Sequence, residues 1–271
     1  MDEIEMRMRS MRSKFLRELL RESASIKENN LWGKCADGKV EEVKEALEAG
    51  ADPNTRGGPE KMTCLMVATW KSQEKVVDLL LAQPGIQVNA KASNNFTALH
   101  FASLRNSAFV EHDGISILKK LVAFPGIELN ERNDEGLTPI MMAILSAGWG
   151  CGICRIRDTP SWWQRCAIEQ SLRVVCLLAA EATVDLEVQD RMGRGLNELA
   201  KELVESSFCL DINLYFYQLL YVINSACILG WRLVGDFKRF LDTLSLFWRM
   251  RDRAGGGKSF CHFDVKKVQD W

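Results

Sequence analysis

An all-α solenoid of helix-turn-helix units, joined by β-hairpin-like connections and flanked by helical arms at both ends, is the fold class this sequence predicts. Two observations predict it. A short phrase recurs as Thr63-Cys64-Leu65-Met66-Val67-Ala68, Thr97-Ala98-Leu99-His100-Phe101-Ala102 and Thr138-Pro139-Ile140-Met141-Met142-Ala143. A fixed spacing precedes it: Asn89 stands eight residues before Thr97 and Asn130 eight before Thr138, and Glu187 stands eight before Gly195, where the threonine has degenerated. Self-similarity at a period of roughly 33 residues marks stacked repeats instead of one globular core.

The phrase alone is irregular. From Ala68 to Ala102 is 34 residues, from Ala102 to Ala143 is 41, and from Ala143 to Ala200 is 57. Because the hairpin spacing holds at eight, the surplus falls between the two helices of a unit. Each element has a local cause. Thr63, Thr97 and Thr138 are N-caps, and Pro139 takes the first helical position, where a missing N–H is harmless. A second helix follows, with apolar residues at helical spacing: Val76, Val77, Leu79, Leu80 and Leu81, then Ile117, Leu118, Leu121 and Val122, then Val174, Val175, Leu177 and Leu178. Pro84-Gly85 and Pro125-Gly126 stop it. Brief extended stretches, Ile86–Asn89 and Ile127–Asn130, lead to a turn at Asn95 or Gly136 and back to the next threonine.

Over residues 30–205 the chain resembles the ankyrin repeat family. The best unit, Thr97 to Asn130, has the T-x-L-H-x-A start and an outer helix, and Thr138-Pro139-Ile140 extends the match. An earlier unit, Leu31 to Asn54, carries a similar second helix and the G-A-D-x-N turn at Gly50–Asn54. About four units and a degenerate fifth beginning near Gly193 are readable. The resemblance implies a stack whose hairpin tips and inner-helix faces bind a protein, so the expected function is that of a non-catalytic interaction module, a scaffold or adaptor. The tip positions are Arg56, Lys91, Ser93, Asn94, Arg132, Asn133, Asp134, Gln189 and Arg191; the inner-helix positions are Trp70, Lys71, Leu104 and Arg105. His100 belongs to the helix start and is expected to be structural.

What surrounds the array is less regular. Residues 1–29 place Ile4, Met8, Met11, Phe15 and Leu19 on one helical face, expected to cap the stack in preference to forming a coiled coil. The insertion at 146–167 reads as a long loop and holds Trp149, Trp162 and Trp163, the last two being candidate aromatic anchors for a partner. It also holds Cys151, Cys154 and Cys166, but with a single C-x-x-C pair an ordinary loop outweighs a zinc site.

The tail at 206–253 is apolar, then amphipathic. Ile212 to Trp231 has no charged residue and about the length of a bilayer span, yet Asn213, Gln218, Asn224 and Ser225 argue for a helix buried on the last repeat. The alternative function is a membrane-associated ankyrin protein anchored by 212–248. Residues 254–271 read as a flexible carboxyl terminus. Their Gly255-Gly256-Gly257-Lys258-Ser259 lacks a glycine where Asp252 stands, and so falls short of a phosphate-binding loop.

Bulk properties narrow the field. A formal net charge of -1 gives no sign of a nucleic-acid binder. Nine cysteines without a signal-peptide pattern fit a reducing compartment, so the cytoplasm is the expected location, ahead of the nucleus and of a membrane. No hydrolytic triad, metalloprotease or dinucleotide fingerprint is present, and no enzyme activity or cofactor is expected.

Overall fold

The computed structural model describes residues 30–104, 114–153, 171, 173–181 and 183–206. Within them helices alternate between an inner and an outer row. The inner row is α1 (Leu31–Asp37), α3 (Cys64–Trp70), α5 (Ala98–Leu104), α7 (Pro139–Ile153) and α9 (Leu196–Ser206). The outer row is α2 (Val40–Glu48), α4 (Glu74–Leu81), α6 (Gly114–Val122) and α8 (173–179). Successive inner helices pack on one another, and α2, α4 and α6 do the same along the outer row.

The two rows differ in pattern for a physical reason. An outer helix packs on one side only and is amphipathic: α4 buries Val76, Val77 and Leu80 and exposes Lys75 and Asp78. In the middle of the stack an inner helix has neighbours all round, so every residue of α5 is buried, and so is every residue from Pro139 to Ser146 of α7, whereas α9, at the end of the row, exposes Glu198 and Lys201. Small residues make this possible. Ala68, Ala102, Ala143 and Ala200, the alanines of the recurring phrase, are all at or near zero exposure.

Helix ends follow from sequence. Asn30 caps α1 by accepting the N–H of Gly33 at 2.8 Å, and Gly38 closes the helix in the left-handed region at φ 71. Thr63 caps α3, its hydroxyl taking the Met66 N–H at 3.2 Å while its own N–H reaches the Met66 sulfur at 3.4 Å. Between α2 and α3 the connection is a true hairpin: β1 (Arg56–Gly57) pairs antiparallel with β2 (Met62–Thr63), Arg56 opposite Thr63.

One element departs from the sequence reading. The loop expected from Ser146 begins instead as two further turns of α7, through Ile153. Glycines at 148, 150 and 152 argue for a break. The first half of α7, however, is locked in the core, and extending an anchored helix is far easier than starting one. Ser146 is part of that anchor: its hydroxyl donates to the Ala143 carbonyl at 2.8 Å and lies 3.0 Å from the Ser171 hydroxyl.

Several expectations fall on residues outside those described: the helix at 1–29, Arg105, Trp162 and Trp163, Cys154 and Cys166, the segment 212–248 and the terminus 254–271. The backbone of Cys151 lies in α7, its side chain outside the description. No helix among the described residues is long and apolar enough to cross a membrane.

Candidate functional site

Four hairpin connections line up along the stack, and three sets of bonds hold them in register. The first set runs from asparagines. Asn54 donates from Nδ2 to the Gly85 carbonyl (3.0 Å) and accepts the Gln87 N–H at Oδ1 (2.8 Å). Asn89 makes the same pair with Gly126 and Glu128, and Asn130 makes it with Thr183 and Asp185. The asparagine amide is the shortest side chain that sets an N–H donor and a carbonyl acceptor side by side on one carbon, which suits it to bonding a carbonyl and an N–H of the next unit together. At Glu187 a carboxylate stands in its place, with no N–H to donate.

The second set joins tip to tip through the backbone. Ser93 donates its N–H to Glu60 (2.9 Å), Asp134 to Asn94 (3.1 Å) and Arg191 to Glu135 (3.1 Å). The second and third tips are each closed by two backbone bonds: the Ala92 N–H donates to the Phe96 carbonyl and the Asn95 N–H to that of Ala92, and the Asn133 N–H donates to the Leu137 carbonyl and the Gly136 N–H to that of Asn133. Turning the chain so tightly needs positive φ two residues before each helix start, and Asn95 (φ 57) and Gly136 (φ 79) supply it. At Gly136 there is a second constraint: a Cβ would stand 2.8 Å from the Arg191 nitrogen.

The third set uses cations two residues past each asparagine. Arg56 Nη1 donates to the carbonyls of Lys61 (3.1 Å) and Lys91 (2.7 Å), and Arg132 Nη1 donates to that of Gln189 (3.0 Å). Lys91 pairs with Glu131, which lies against Glu128. The Glu131 carboxyl is held below its ordinary range, first by its hydrogen bond with Glu128 and then by Lys91. Arg56 and Arg132, two of the arginines expected to contact a partner, are therefore also bolts between neighbouring tips, and both stay exposed.

The other expected residues are placed as follows. Ser93 and Arg191 are exposed; Asp134 is half-buried and accepts from Asn95 Nδ2 at 2.5 Å. Trp70, at the end of α3, is half-buried, its ring edge-on to Phe101 at 5.9 Å between centroids, and Lys71 beside it is half-buried as well. Leu104 is buried, and so is Asn133, whose Oδ1 accepts the N–H groups of Glu135 and Leu137. Sequence reasoning passed over Lys61, an exposed cation at the first tip. Its position two residues before Thr63, equivalent to Asn95 and Gly136, could have found it.

His100 is structural, as expected. Its Nδ1 accepts the Thr97 N–H (3.2 Å) and meets the Thr97 hydroxyl (2.9 Å), so Nε2 carries the proton and donates to the Leu137 carbonyl of the next unit (3.0 Å). Burial drives its pKa down from 6.5 to about 4. Among the described thiols, the Cys35 contact and burial push Cys64 up, and burial pushes Cys176 up, away from the reactive thiolate. No group of three or more His, Cys, Asp or Glu among the described residues is arranged to hold a metal.

Comparison with known proteins agrees with this geometry. The family model for ankyrin repeats, in its three-copy form, matches residues 31–112. A stretch of 107 residues, 39% of the chain, is 34% identical to alpha-latrocrustotoxin-Lt1a of Latrodectus tredecimguttatus. That stretch corresponds to 7% of the length of the toxin.

Proposed function

The chain being an ankyrin-repeat protein, and such repeats being in general protein-interaction modules, we propose that it serves as a non-catalytic scaffold or adaptor, holding a protein partner along its hairpin tips. The observation that carries this reading is the register of the tips. Three independent bond sets fix four successive connections, so their exposed side chains form one preorganised line, and preorganisation lowers the entropy lost on binding. Trp70, half-exposed behind that line, is the aromatic anchor on the inner-helix side.

The inner helices contribute less than a simple repeat pattern implies. With α5 buried throughout, contact on that unit passes to the tips and to whatever stands at helix ends. A cytoplasmic setting fits the free, buried thiols of Cys35, Cys64 and Cys176, which gain nothing from an oxidising compartment.

Affinity capture from cell extract with the full chain tests the proposal. Trp70→Ala combined with Arg132→Glu should lose the captured partner, and Glu41→Lys, an exposed change on the outer helix α2, should keep it. Capture unaffected by the double variant would show that the tip line is not the binding surface.

A further inference from the structure

Charge on the hairpin rim is sorted by depth. Between the asparagine position and the next helix start, every charged side chain that is exposed is a cation: Arg56, Lys61, Lys91, Arg132 and Arg191; the exposed carboxylates Asp52, Glu128, Asp185 and Glu187 stand at or before that position. The carboxylates of the same tips lie deeper and are engaged. Glu60 takes the amide of Asn94 at 2.9 Å, Asp134 that of Asn95, Glu131 pairs with Lys91, and Asp190 is gripped by Arg194 at 2.6 Å. A partner approaching the tips meets the cations first.

Two of these cations are built for carboxylates. Arg56 and Arg132 hold the same register, and each is fixed through Nη1 to the backbone carbonyl of the next tip. A carbonyl is neutral, so the guanidinium keeps its full charge. Its remaining N–H groups are held in a fixed plane, and a planar fork suits a carboxylate better than a flexible ammonium does. Lys91 contributes less, because Glu131 already answers it.

We propose that this rim docks an extended acidic protein segment, its carboxylates meeting Arg56 and Arg132, with Lys61 and Arg191 widening the attraction. The inference rests on the reading of the tips as a partner site and names the chemistry of that partner. Extension follows from the layout, since the arginines belong to different tips along the stack. A protein acid is favoured over a nucleic acid because the exposed cations are few and the chain's net charge is -1, without the strong basic excess that a phosphate backbone calls for.

Fluorescence anisotropy with the full chain tests it, using a labelled peptide of alternating glutamate and leucine as probe. A lysine-leucine peptide and a single-stranded oligouridylate serve as competing chemistries. The glutamate peptide should bind and weaken as salt rises. Lys61→Glu with Arg191→Glu, whose side chains make no hydrogen bond or ion pair among the described residues, should weaken it by about tenfold or more. Arg56→Lys with Arg132→Lys, which keeps the charge but removes the fork, should weaken it by a smaller factor.

Equal binding of the lysine peptide, tighter binding of the oligouridylate, or indifference to the charge reversal would overturn the inference. Its failure is separable from that of the partner-site reading. If the charge-reversed chain still captures a partner that the Trp70→Ala and Arg132→Glu variant loses, the tips bind protein but the acidic assignment is wrong.

Discussion

The central unit, around Thr97 to Asn130, and the last one, beginning at Gly195, occupy the same register but are held by different chemistry. At the central helix start a dry network runs from Thr97 through His100 to the Leu137 carbonyl, fully buried and formally neutral. At the last, Gly195 has no hydroxyl, and Glu198 caps it instead by accepting its N–H at 3.0 Å. Arg194 there bridges Asp190 (2.6 Å) and Glu202 (2.9 Å). Burial works against the Asp190 charge, yet the bonds from Arg194 and from the Met192 N–H hold its carboxyl below the ordinary range. Backbone register is thus conserved by bonds any residue can make, whereas each unit solves its helix start with the side chains it has.

The sharpest test of that difference is pH. His100 has a pKa of about 4 when folded and 6.5 when not, so the unfolded chain binds the extra proton first and stability falls as pH drops from 6.5 towards 4. The loss should total about 3 kcal/mol across the window. Urea titrations at stepped pH should show it, and His100→Met, which copies Met66 and Met141, should flatten the slope over that range. A slope unchanged by His100→Met would place the pH sensitivity elsewhere.

A second contrast concerns what covers each turn. Gly136→Ala meets both a left-handed φ and the Arg191 backbone at 2.8 Å, and should destabilise by roughly 2–3 kcal/mol. Gly193→Ala, at φ 76 with nothing within 4 Å, should lose about 1 kcal/mol from the backbone alone. Equal losses in thermal unfolding would mean that the neighbouring tip does not constrain Gly136.

Smaller effects follow along the asparagine positions and on the outer row. Asn130→Ala removes two bonds to the next unit and should lower stability by about 1 kcal/mol, water replacing part of what is lost. Glu187→Ala, at the register position where the amide is absent, should change it by less than Asn130→Ala does. Lys120 pairs with Glu74 (2.8 Å) and Asp78 (2.6 Å) across the outer helices α6 and α4. Lys120→Ala should shift stability by about 0.5 kcal/mol and only at low salt, as exposed pairs do.

Much of this architecture could be read from the chain. The threonine phrase and the asparagine spacing located the helix starts and the hairpins because both motifs act over short range: the hydroxyls of Thr63 and Thr97 cap the helices that follow them, and an amide reaches one loop away. The expected cap at Thr138 is not made, its buried hydroxyl finding no partner among the described residues. The helical run from Ser146 to Ile153 was not legible, since glycine-rich local sequence opposed what the buried half of α7 imposed. Nor could spacing show that Arg56 and Arg132 grip neighbouring carbonyls, because residues some 35 and 57 positions apart meet only when units stack.

By itself, then, the sequence determined the repeat, its register and the positions of the helix starts, all set by local propensity and hydrogen-bonding capacity. Tertiary structure alone decided which side chains the repeat would leave exposed. Stacking buried α5 on every side, drew Glu131 into a pair with Lys91 of the preceding tip, and left the cations of the tips facing outward. Depth is a property of the assembled stack, and it is depth that separates a charge available to a partner from one already answered.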